Sequence, residues 1–166
     1  MRSNESTFDK NDYDPTKPGS GADLSKVDPF ERIWLAKYTG GWDTTNESRD
    51  YFDRLLVEAR KATSFLKNPL LLVPVGHAMH ALDRRMRAGE VAGYTDIHQL
   101  YKDGIHLNET GSYLVGCTFF ATLFREDPTG LPTEPYGEIS PVVAKAIQQT
   151  VWKTVREHPE SGVKQP

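Results

Sequence analysis

Asp103 and His106 stand three positions apart in the stretch "YKDGIHLNETGSYL", residues 101–114. A histidine acting as a general base needs its second ring nitrogen held. A carboxylate usually does this, fixing the tautomer and stabilising the imidazolium. With Gly104 allowing a tight turn between them, this spacing can bring the Asp103 carboxylate to the Nδ1 of His106. The same residues also have a plainer reading. Asp-Gly is among the commonest turn dipeptides, and a histidine beside it can be incidental.

Other side chains invite chemistry with less force. His77 and His80 can share a helix face, and His98 and His106 lie downstream, but zinc wants a third protein ligand and a closed or nearly closed geometry. Ordinary surface or capping histidines are the expectation, no metal site is assigned, and no cofactor is expected. His77, directly after Gly76, is a lesser candidate for substrate contact. Asn108 is first a helix cap, yet it lies beside the pair and can also touch substrate. Cys117 has no adjacent base and sits in an apolar stretch, which suits a buried inert thiol. Trp34, Trp42 and Trp152 could line a sugar site, with core packing the default for each. "DRRMRAGE", 83–90, reads as a solvated helical face on which pairs such as Asp83 with Arg84 contribute little.

The elements that must position these residues follow from caps and periodicity. Asp28 caps a first helix with Pro29 at its first position and Glu31 at the capping-box site, and Gly40-Gly41 ends it. A second helix runs from about Asn46 to Phe65, with Phe52, Leu55, Leu56, Ala59 and Ala62 on one face. "NPLLLVPVG", 68–76, is apolar on both faces and too short for a buried helix, so it reads as a central parallel strand. "HAMHALDRRMRAGE" is helical as far as Gly89 or Gly93, and "TDIHQLY" forms a short turn. Asn108 then caps the strongly apolar "ETGSYLVGCTFFATLFRE", with Glu109 near its positive end; Asp127-Pro128 and Gly130 close it. Ser140 caps a last helix whose stripe is Val143, Ile147, Val151 and Val155, and the polar tail after His158 is expected to fray.

A lone central strand leaves its main-chain groups unpaired on both sides. Residues 68–76 therefore require neighbours, and "GIHL" at 104–107 is too short to be a full one. Either a second chain or an N-terminal half cut from this sequence would complete the sheet, and truncation is the favoured expectation.

Composition bounds the rest. Only 37% of the 166 residues are apolar, so part of the length is expected to stay unpacked. Residues 1–27 are polar and turn-rich, which reads as a disordered or extended segment. A net charge of −3 makes no electrostatic case for nucleic acid or an anionic membrane. One cysteine excludes an internal disulfide. No apolar run reaches the ~18 residues of a membrane span, and Met1 precedes polar residues rather than a signal-peptide core.

The segment "LYKDGIHLNETGSYLVGCTFFATLF" resembles the last block of the SGNH/GDSL-type hydrolases, in which an Asp-x-x-His pair precedes the C-terminal helix. The pattern D-x-I/V-H-x-N-x-x-G appears as Asp103, Ile105, His106, Asn108 and Gly111. The match spans about residues 46–127 and is specific over 101–124. It implies an α/β fold: residues 28–127 as the C-terminal part of a flavodoxin-like three-layer α/β/α domain, mostly helical here, with 128–166 as a helical extension and tail. It also implies hydrolysis of an ester, often an acyl group on a carbohydrate or small molecule. His106 would be the base and Asp103 its orienting carboxylate. The family's serine follows the first strand in a Gly-Asp/Asn-Ser turn. No serine here has that context, and "KPGSGAD" around Ser20 lacks a preceding strand. The expected nucleophile is therefore not in this chain. Localisation would be secreted or periplasmic if the full-length protein carries a signal peptide. The alternative is a non-catalytic α-rich module that docks onto a partner through residues 68–76 and the helix at 109–125.

Overall fold

A computed structural model of the chain describes residues 28–103 and 105–163. They form five α-helices: α1 Pro29–Leu35, α2 Arg49–Ala62, α3 Val75–Arg87, α4 Glu109–Phe124 and α5 Pro141–Glu157. Short 3-10 turns occur at Thr44–Glu47, Ile97–Leu100 and Glu134–Tyr136. The described residues contain no strand, only one isolated antiparallel bridge between Tyr101 and Leu107. This overturns the α/β, flavodoxin-like expectation. The expected segment 1–27 lies outside the described residues.

The chain divides into two compact units. The first holds described residues 28–70 with Asp103 and Ile105. Asp28 caps α1 by accepting from the Phe30 N–H at 2.9 Å. The helix stops at Leu35 rather than at the glycine pair, because Ala36 leaves helical space with ψ 147°. Phe30, Ile33 and Ala36 are this unit's buried apolar residues. α2 opens at Ser48, whose Oγ accepts from the Tyr51 N–H at 3.2 Å. It carries the expected apolar periodicity but buries none of its residues, and Phe52 and Leu55 are about half exposed.

The second unit holds residues 71–102 and 106–163 of those described. Here α3, α4 and α5 pack on one another around Leu82, Met86, Leu114, Ile147, Val151 and Val155, all at most 2% exposed. Burial of each such side chain stabilises by roughly 1.5–3 kcal/mol. The expected stripe on the last helix is therefore its core face, set by Ser140 as cap and Pro141 at the first position.

The predicted strand at 68–76 is an irregular stretch that turns into α3 at Val75. Its main-chain groups find partners outside any ladder. The Leu70 carbonyl accepts from the Arg60 guanidinium (Nε 3.0 Å, Nη2 2.7 Å), within the first unit. The Leu72 N–H donates to the Glu160 carbonyl at 2.9 Å, within the second. That second bond also corrects the frayed tail. Residues 158–163 fold back on themselves, with the fully buried Ser161 hydroxyl donating to the Val155 carbonyl at 2.7 Å and Val163 buried.

Candidate functional site

In the second unit the chain approaches α4 through a pinned loop. The Lys102 N–H donates to the His106 carbonyl at 2.8 Å, and the Asn108 N–H to the Leu100 carbonyl at 2.9 Å, on either side of the Tyr101–Leu107 bridge. The Asn108 side chain completes the clamp. Its Nδ2 donates to the Gln99 carbonyl at 2.7 Å, while its Oδ1 accepts from the Gly111 N–H at 3.0 Å and so caps α4. Gly111 has no side chain for a reason: a Cβ there would lie 2.6 Å from the Leu100 carbonyl oxygen. The result is an exposed His106 side chain on a main chain held at both ends.

Glu109 opens α4 beside Lys102, with Nζ to Oε1 at 3.1 Å. Its own backbone N–H and then Lys102 hold the carboxyl below the usual carboxylate range, and a negative charge at this end also favours the helix dipole. Behind the loop, burial pushes the Tyr101 phenol up to about 12.

Asp103 belongs to the first unit and is exposed. Its Oδ1 accepts from the Ile105 N–H at 2.9 Å, the Asx turn expected of Asp-Gly. His106 belongs to the second unit.

The remaining candidates are placed as follows. His77 sits in the first turn of α3, not at a strand edge, with its ring edge-on to His158 at 4.3 Å. His98 Nδ1 lies 3.1 Å from Asp96. No group of three metal-ligating side chains occurs among the described residues. Cys117 is buried, and burial pushes its thiol up to about 11. The tryptophans depart from the core default: Trp42 is 95% exposed, Trp34 is half-buried with the Arg49 guanidinium 5.5 Å above its ring, and Trp152 is half-buried under Arg156. Ser48 and Ser140 serve as helix caps, and Ser161 fastens the tail.

Pattern reading missed the polar ties of the second unit. Asp83, assigned to a solvated face, is buried: its Oδ1 accepts from the Ile97 N–H at 2.8 Å and its Oδ2 from Arg87 Nε at 2.6 Å. Arg85 reaches α5, donating to Thr150 Oγ1 at 2.8 Å and the Ala146 carbonyl at 3.0 Å. Between α4 and α5, Gln148 donates to the Tyr113 hydroxyl at 2.6 Å, which donates to the Leu131 carbonyl at 2.9 Å. A glutamine inside an otherwise apolar stripe was the available signal for the last of these.

No protein-family model matches the chain, and neither a curated protein nor a solved structure matches it significantly. No helix among the described residues is long and apolar enough to cross a membrane.

Proposed function

We propose that this chain contributes the histidine and carboxylate of a Ser-His-Asp mechanism for ester hydrolysis, of the SGNH/GDSL type, acting on an acylated carbohydrate or a small acyl ester. His106 is the general base and Asp103 orients it. The serine is supplied from outside residues 1–166, by another part of a longer polypeptide or by a second chain. One observation carries the reading: the side chain of His106 is exposed on a loop whose main chain is fixed directly ahead of a capped helix. A base must keep its position while its proton moves, and such clamping provides that.

The test begins with the in-frame coding DNA upstream, which should encode a serine in a Gly-Asp/Asn-Ser context. The longer polypeptide should hydrolyse p-nitrophenyl acetate, and His106→Ala should lower its kcat by about 10³-fold or more, as loss of a triad member does elsewhere. The chain of 166 residues alone should show no serine-dependent turnover. A rate indifferent to His106→Ala sinks the proposal.

A second reading, a non-catalytic helical docking module, draws on one observation: α4 is apolar on its outward side as well, where Phe119, Leu123 and Phe124 are 46–65% exposed. A monodisperse chain with a sharp unfolding transition and no tendency to associate would count against it.

A further inference from the structure

A depression of about 340 Å³ lies between α5 and the loop that follows α4. Its size falls at the lower end of ligand clefts, roughly 300–1,000 Å³. Gln149, Trp152, Lys153 and Arg156 recur along one side of α5, away from the Val143–Val155 core stripe, and Asp127 and Glu157 complete the rim. The loop is set by an Asx turn, in which the Thr129 N–H donates to Asp127 Oδ1 at 2.9 Å.

Two features separate this place from an ordinary charged helix face. Lys153 and Glu157, four positions apart and able to pair, make no ion pair with each other or with any other described residue. The Arg156 guanidinium lies 5.6 Å over the Trp152 ring, and its Nε is buried with no hydrogen-bond partner. With Nε covered, the terminal nitrogens of the guanidinium are the donors left to meet a ligand.

We infer that this depression binds a carboxylate-bearing sugar unit, with Arg156 and Lys153 taking the carboxylate and Trp152 presenting a flat apolar wall. Asp127 and Glu157 then accept from the hydroxyl groups, and the Gln149 amide both accepts and donates. The mixture of groups decides the class. Two acids on the rim oppose a polyanion such as nucleic acid, while two cations favour one negative group over none. Alternating donors and acceptors beside an aromatic face suit a polyol ring. None of Asp103, His106 and Asn108 takes part, so this inference stands or falls separately from ester hydrolysis.

The test follows the indole N–H signals of the full chain by NMR during titration with trigalacturonic acid, maltotriose and sodium sulfate. Trp152→Phe assigns the signal, and the dispersed amide signals of the buried residues Leu114, Ile147 and Val151 report that each variant keeps the fold of the second unit. The expected result is a saturable shift of the Trp152 signal with trigalacturonic acid alone. Arg156→Gln and the exposed Lys153→Gln should each weaken binding by about tenfold, the worth of one charge-assisted contact. No saturable shift, equal binding of maltotriose, or saturation by sulfate alone would overturn the assignment. So would affinity unchanged in both charge variants.

Discussion

At the scale of single residues, Asn108 shows how one side chain can brace a loop and a helix start at once. Its oxygen caps α4 and its amide nitrogen ties Gln99, so both polar ends are engaged within the chain. Asn108→Ala should lower stability by about 1–2 kcal/mol, read from the denaturation midpoint. Aspartate at this position should restore the cap but not the Gln99 tie, and so recover only part of the loss. Cys117 gives a second prediction. Its thiol is held neutral up to about 11, and Tyr101 and Tyr113 are pushed up to about 12, each chiefly by burial. The folded chain thus keeps protons that the unfolded chain releases from about pH 9 upward. Stability contributed by these groups is complete below pH 9 and declines as pH rises towards 12. The melting temperature should fall across that window, and Cys117 should resist iodoacetamide at pH 8 until the chain is unfolded. The helix caps Asp28, Asn108 and Ser140 were readable because a cap acts within three residues. Asp83 was not, because the group that explains its burial is the Ile97 N–H, fourteen positions away.

Among the elements, the helices were largely legible and the strand was not. Caps, prolines and the 3.6-residue stripe locate α3, α4 and α5 to within a few residues, since those signals are local and repeated. Residues 68–76 carry a pattern that a strand and an irregular packed segment share. What separates the two is the partner for each main-chain group, and here the partners are the Arg60 side chain and the Glu160 carbonyl. The requirement for partners was sound, but the expectation that only strands could meet it was wrong. The join between the pinned loop and α4 supports a sharper prediction at Gly111. Helix propensity alone would make Gly111→Ala stabilising by about 1 kcal/mol. The added Cβ would meet the Leu100 carbonyl oxygen at 2.6 Å, backbone that is itself bonded to the Asn108 N–H. Overpacking of that kind costs about 1–3 kcal/mol, so the steric effect should win. A midpoint lower than wild type confirms it, whereas a higher one would mean that the loop yields freely.

For the molecule as a whole, the decisive quantity is how much apolar surface the chain leaves in water. α4 is apolar on both sides: Leu114, Cys117 and Ala121 enter the core, and Phe119, Leu123 and Phe124 do not. α2, in the first unit, is amphipathic instead, and its apolar residues Phe52, Leu55 and Val57 stay near half exposure. A helix apolar all round is ordinarily a buried one, and contiguous exposed patches mark surfaces that other groups cover. This accords with a chain that works within something larger, whether it supplies a catalytic histidine or only a docking face. It leads to a prediction independent of any assay of catalysis. Replacing Leu123 and Phe124 together by lysine should leave the core intact, so the melting temperature should change little, because both side chains are 65% exposed. Binding of a hydrophobic dye should fall, and any concentration-dependent association in sedimentation should weaken. A large drop in melting temperature instead would mean that these two side chains already stabilise the fold of the isolated chain. The outward side of α4 would then have no unmet need for a partner.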